Sequence, residues 1–217
     1  LKDTFMKRQL ALLGLACLGT TLWADSNSIY KKGWIDFNKN GVMDVFENPK
    51  APIESRVMDL LSQMTLAEKT CQMATLYGSG RVLRDSLPTP QWKQEIWKDG
   101  IANIDEQLNG LGRGRKAYPE LIYPFSNHAE AINRIQRWFV EETRLGIPVD
   151  FSNEGIHGLN HWMATPLPAP IGIGSTWNKS LVHQAGTIVG KEAKALGYTN
   201  VYAPILDVAR DPRWGRV

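Results

Sequence analysis

The sequence predicts an α/β protein built on a parallel sheet, and three observations carry that expectation. The run Ile147 to Gly158, IPVDFSNEGIHG, opens on a short apolar, β-branched stretch and stops at Ser152-Asn153-Glu154-Gly155. A buried strand reads this way when it hands its last residues to a loop. A second run, Val201 to Val208 (VYAPILDV), enters the charged loop Ala209 to Arg216 in the same manner. Between the two, Leu181, Val182, Ala185, Ile188, Val189, Ala193 and Leu196 keep helical spacing. Strand, helix, strand in this order is a βαβ unit, whose strands lie parallel. Glu154 then falls at the carboxyl end of a strand, the rim at which parallel α/β folds handle ligands.

From the start of the chain, residues 1–24 read as a secretory signal peptide with a few residues ahead of it. Lys7 and Arg8 precede the apolar run Leu10 to Leu18, Leu22-Trp23-Ala24 closes on a small residue, and residues 1–5 stand upstream of a plausible start at Met6. Export to a bacterial periplasm follows. A lipid anchor on Cys17 or an extracellular destination is the alternative, although Gly14 occupies the place where a lipobox wants a large aliphatic residue. The apolar run is too short to span a bilayer, so stable membrane insertion is not expected. Charged residues make up 22% of the chain and hydrophobic ones 43%, with a net charge of +3, which gives neither a nucleic-acid footprint nor a disordered tail. Beyond residue 24 the only cysteine is Cys71, so no internal disulfide is expected despite export. On the apolar side of a helix it reads as a packing residue.

Residues 25–51 form an N-terminal segment whose core is Asp36 to Glu47, DFNKNGVMDVFE. This stretch fits the EF-hand loop pattern at every position. Asp36, Asn38 and Asn40 offer oxygens at alternate positions, Gly41 allows the sharp turn, and Val42 can present its carbonyl. Asp44 sits where water often bridges, and Glu47 can close the site bidentately. One structural Ca²⁺ is the expectation, pinning this segment to the first helix; a plain polar turn is the other reading.

Residues 52–217 make up the main domain. Pro52 suits a helix start, and Ile53, Val57, Leu60, Leu61 and Met64 share a face, which predicts a buried stripe. Thr65 with Glu68 three residues on is a capping box for a second helix. Residues 78–125 are broken repeatedly by Gly and Pro, with Trp92, Ile96, Trp97, Ile101 and Ile104 marking a short helix or strand. Those aromatics read more readily as packing than as a sugar platform. A long helix is predicted from Asn127 to Leu145, with Ala131, Ile132, Ile135, Trp138 and Phe139 on its apolar side and Gly146 ending it. His157 and His161 lie four apart near Glu154, but Gly155 and Gly158 discourage the regular helix that a zinc pair would need.

Four segments, RVMDLLSQMTLAEKTCQM (56–73), NEGIHGL (153–159), ATPLPAPIGIGSTWN (164–178) and YAPILDVARDPRWGR (202–216), resemble glycoside hydrolase family 3, the β-glucosidase and β-xylosidase group. The resemblance implies the N-terminal part of a (β/α)8 TIM-type barrel, an architecture of about 250 residues when complete. It also implies that Glu154 binds hydroxyls of the non-reducing terminal sugar and that Arg216, closing DPRWGR, reaches the same ring. A carboxylate accepting from two hydroxyls opposite a donating guanidinium is a sensible sugar clamp. Asp211, Arg213 and Trp214 read as braces of that loop, and Asp207 either as a group pointing into the barrel or as a structural hydrogen-bonding group.

The family places its nucleophilic aspartate, its acid/base and a Lys-His pair in later parts of the chain. No catalytic residue of this kind can be matched within these 217 residues. The expectation is therefore the N-terminal part of a longer retaining β-glucosidase, itself inactive, acting on β-linked oligosaccharides or aryl glycosides without a catalytic cofactor. A β-xylosidase, a non-catalytic carbohydrate-binding module and a calcium-dependent interaction module are the alternatives.

Overall fold

The computed structural model describes residues 28–77, 90–95, 98–105, 125–208, 210–211 and 213–214. The signal peptide expected over residues 1–24, the lipid-anchor alternative at Cys17, most of the glycine- and proline-broken segment 78–125, and Arg216 lie outside these residues.

A short antiparallel hairpin comes first, β1 (Tyr30–Lys31) and β2 (Trp34–Ile35), followed by the Asp36–Glu47 loop and the helices α1 (Ile53–Gln63) and α2 (Leu66–Cys71). Then follow β3 (Thr75–Tyr77), α3 (Pro90–Glu95), β4 (Asn103–Asp105), α4 (Phe125–Glu142) and β5 (Asp150–Glu154). The last elements are α5 (Pro170–Gly174), α6 (Lys179–Leu196) and β6 (Asn200–Tyr202). The four strands β3 to β6 form one sheet in chain order, every pair parallel, as the βαβ reading predicts. No helix among the described residues is long and apolar enough to cross a membrane.

Strand periodicity gives this sheet two different faces. Leu76, Ile104, Phe151 and Val201 point to one side, where they meet Ala131, Ile132, Ile135, Trp138 and Phe139 of α4 and Ala193 and Leu196 of α6. The predicted stripe of α4 is thus the centre of the core. Phe139, Phe151, Ile104 and Ile135 are fully buried, each contributing about 1.5–3 kcal/mol of apolar transfer. Helix α6 starts on an Asn178 side chain that accepts the Leu181 amide and ends on Gly197 at φ +88°.

Three expectations need correction. The strand led by the Ile147 run starts only at Asp150 and ends at Glu154, the carboxyl end expected for that residue, with Ser152 and Asn153 buried and their polar atoms bonded. The Val201–Val208 strand shrinks to Asn200–Tyr202, since Pro204 has no N–H for the ladder and the Ala203 amide turns back to the Val201 carbonyl. Two helical stripes are also less buried than their spacing implies: Ile53, Val57 and Leu61 of α1 and Leu181, Val182 and Ile188 of α6 are exposed. Helix α1 is held instead by polar contacts, with Asp59 accepting the Phe46 amide and Arg56 donating to the Phe46 carbonyl. Helix α6 buries only the later positions Val189, Ala193 and Leu196.

Candidate functional site

Strand β5 delivers Glu154, half-buried, to the carboxyl rim of the sheet, and the next seven residues fold into a tightly closed loop. Both glycines of NEGIHG are sterically required. A methyl group on Gly155 would lie 2.3 Å from Val201 Cγ1 and 3.1 Å from Ala203 Cβ, so only a bare backbone passes between β5 and β6. At Gly158, φ is +91° and a methyl would lie 2.2 Å from the Thr165 carbonyl oxygen. Asn153 closes the loop from within: its Oδ1 accepts the Glu154 amide at 2.8 Å and its Nδ2 donates to the Asn160 carbonyl at 3.2 Å. The Asn160 amide in turn donates to the Glu154 carbonyl at 2.8 Å. The backbone that carries the Glu154 side chain is thus fixed before any ligand arrives.

Beneath the loop lies an aromatic cluster. His161 packs edge-on against His128 with ring centres 5.3 Å apart, and His128 meets Tyr198 at 5.7 Å. His161 Nδ1 accepts the Met163 amide at 3.3 Å, which places the proton of the neutral ring on Nε2. Burial pushes this imidazole down to about 4, with Glu192 acting weakly in the other direction. His157, by contrast, is exposed.

On the face of the sheet that carries Glu154, the register aligns Asn103 with Asp150, Asp105 with Ser152, Ser152 with Asn200, and Glu154 with Tyr202. Asn103, Asp105, Asp150, Ser152 and Asn200 form a polar network. Ser152 Oγ lies 2.9 Å from Asn103 Oδ1 and 2.8 Å from Asp105 Oδ1, while Asn103 Nδ2 donates to Asp150 Oδ2 at 3.1 Å. Thr199 and Asn200 also donate to Asp150. Sequence reasoning overlooked this network. Its signal was present in the period-two alternation Asp150, Ser152, Glu154 beside Asn103 and Asp105.

Of the predicted sugar clamp, Glu154 stands at the rim, whereas Arg216 lies outside the described residues. In the loop leading to it, Arg213 donates to Asp211 through Nε at 2.8 and 3.1 Å and through Nη2, the expected local brace. That pair holds the Asp211 carboxyl below its ordinary range. Asp207 and Trp214 are exposed.

The Asp36–Glu47 loop lies at the other end of the described chain. Asp36 and Glu47 are only 4% and 2% exposed. Asp36 accepts the amides of Asn40 at 3.0 Å and Gly41 at 2.9 Å, and Glu47 those of Phe37 at 2.6 Å and Asp44 at 3.0 Å. The side-chain amides of Asn38 and Asn40 both donate to Asp44 Oδ2, at 2.5 and 2.8 Å. Among the described residues no three His, Cys, Asp or Glu side chains are grouped as metal ligands. The predicted donor set of this loop is half amide and carbonyl, and all of it is oxygen, which is hard-cation chemistry.

Helices on one face of a sequential parallel sheet, with Glu154 at its carboxyl rim, define an α/β protein of the kind that handles ligands at the strand ends. Residues 114–217 match the glycosyl hydrolase family 3 N terminal domain. The chain is 27% identical over 200 residues to a periplasmic beta-glucosidase/beta-xylosidase of Dickeya chrysanthemi, which covers 84% of this chain and 28% of that protein. Among solved structures it resembles a β-glucosidase from Erythrobacter marinus (TM-score 0.58, 27% identity, 75% of this chain and 20% of that one). It also resembles an exo-1,3/1,4-beta-glucanase from a Pseudoalteromonas species (TM-score 0.57, 25% identity, 78% and 19%). Residues 114–217 belong to the N-terminal domain of glycoside hydrolase family 3. It spans 22% to 32% of the length of three curated relatives that it matches.

Proposed function

We propose that the whole protein is an exo-acting, retaining β-glycosidase that prefers β-glucosides to β-xylosides, and that the parallel sheet is part of a (β/α)8 barrel. The observation that carries this reading is Glu154, held at the strand ends by Asn153, Gly155 and Gly158 in a chain of this family. In this reading the Glu154 carboxylate accepts two hydroxyls of the terminal sugar and Arg216 donates to others. A retaining glycosidase also needs a carboxylate nucleophile and an acid/base about 5–5.5 Å apart, roles that no residue of this sequence is assigned. Export to the periplasm, as named for the Dickeya relative, fits the basic and apolar pattern of residues 1–24.

Assay of the whole protein on aryl β-glucosides and β-xylosides decides the activity. Hydrolysis of α-linked substrates alone would sink the proposal. Glu154→Ala and Arg216→Ala should each lower kcat/KM by the equivalent of about 2–4 kcal/mol, the range for stranding a charged partner. Unchanged kinetics would remove those residues from the site. The second part of the proposal is that Asp36, Asn38, Asn40, the Val42 carbonyl, Asp44 and Glu47 hold one structural Ca²⁺, with no part in the sugar chemistry. The two buried carboxylates on a closed oxygen-rich loop support it.

A further inference from the structure

Tyr202 stands directly across from Glu154. The two are register partners on adjacent parallel strands, so their side chains leave the same face of the sheet, with backbones about 4.8 Å apart. Each is the last residue of its strand, which puts both at the carboxyl rim. The neighbour of Tyr202, Val201, turns to the opposite side and packs against the apolar core. Strand alternation therefore commits Tyr202 to the Glu154 side.

Tyr202 is 43% exposed, and its hydroxyl has no hydrogen-bond partner among the described residues. A single exposed aromatic is ordinary in itself. Here, however, the ring is the cross-strand neighbour of a carboxylate whose backbone the loop holds in place. A pyranose offers hydroxyls around its edge and C–H bonds on its faces, so it needs a polar acceptor and an apolar wall side by side. Tyrosine supplies such a wall at low entropic cost, having only two side-chain torsions to fix. We infer that Tyr202 contacts the same sugar as Glu154, its ring packing against the pyranose whose hydroxyls the carboxylate accepts. This inference rests on the glycosidase reading above.

The test uses the whole protein, with an aryl β-glucoside as substrate and free glucose as competitive inhibitor. The variants are Tyr202→Phe, Tyr202→Leu, Tyr202→Ala and, as a reference, Glu154→Ala. Losing the ring should raise both KM and the glucose inhibition constant about tenfold in the Leu and Ala variants, a loss of about 1.4 kcal/mol. The Phe variant, which keeps the ring, should stay within about threefold of wild type. A Leu variant that binds glucose like wild type while Glu154→Ala does not would overturn the ring contact alone. If Glu154→Ala also binds like wild type, the site reading falls and takes this inference with it.

Discussion

His161 shows how one buried side chain gives the site a pH dependence. It lies under the Glu154 loop among His128, Tyr198 and Trp162, and burial holds it neutral down to about 4, against the favourable but weaker pull of Glu192. In the unfolded chain the same ring takes up its proton near 6.5. Between those two values the unfolded state binds more protons than the folded one, so stability falls as pH falls from about 6.5 to about 4. The loss from this ring should total on the order of 2–3 kcal/mol. His161→Gln should flatten the slope of unfolding free energy against pH across that window, measured by denaturant melts at stepped pH. An unaltered slope in the variant would show that the ring is not the group responsible.

Among elements, the pairing of α2 with the turn after α4 connects local and long-range order. Glu68 closes the capping box of α2, accepting the Thr65 amide at 2.8 Å, and also receives Arg144 Nε at 2.9 Å and Arg144 Nη2. Burial on its own would raise the Glu68 carboxyl, but the bonds from Arg144 and Thr65 outweigh it and hold the group below its ordinary 4.5. A carboxyl lowered on folding stabilises the protein above its unfolded value and loses that contribution as pH falls through the folded one. Arg144→Ala should therefore destabilise by about 1–3 kcal/mol at neutral pH, with the difference from wild type shrinking in acid. Equal melting at pH 7 would show the pair to be a surface decoration of the kind that contributes little. The capping box and the α4 stripe were legible from sequence because both are set by spacing within a few residues. The Arg144–Glu68 pair, 76 residues apart, leaves no local signal. For the same reason the apolar spacing of α1 and α6 reports which residues share a face but not whether anything covers it. At the site, Glu154 and both loop glycines could be read from one motif. Alternation marks Asn103, Asp105 and Ser152 as sharing a polar face, but which of them pair, and that Tyr202 stands opposite Glu154, follows from strand register, which no single segment contains.

At the scale of the molecule, the Asp36–Glu47 loop joins parts of the chain that are far apart in sequence. Asn38 donates to Gln63 of α1, and Lys39 Nζ reaches the carbonyls of Val140 and Thr143 at the end of α4, at 3.2 and 2.7 Å. The Phe37 carbonyl sits so close to Gly146 that a methyl there would lie 2.6 Å from it. The loop therefore braces the turn that launches β5, the strand carrying Glu154. Its centre holds the Asp44 carboxylate facing two amides that donate to it. Rotating Asn38 and Asn40 about their last side-chain bonds would replace those donors with two oxygens, an arrangement stable only around a cation. Three carboxylates with amide and carbonyl oxygens correspond to weak, extracellular-type affinity, on the order of 10⁻⁴ to 10⁻³ M. Under mass action, about 10 mM Ca²⁺ should then stabilise the fold by about 1.4–2.7 kcal/mol. Thermal melting with calcium and with chelator, backed by titration calorimetry, reads this directly. Calcium should raise the melting temperature of wild type but not of Asp36→Ala or Glu47→Ala, and glucose binding at saturating calcium should stay unchanged. Identical wild-type melts with calcium and with chelator would reduce the loop to a self-bonded polar turn. A calcium-dependent change in glucose affinity would instead mean that the brace on β5 extends as far as Glu154.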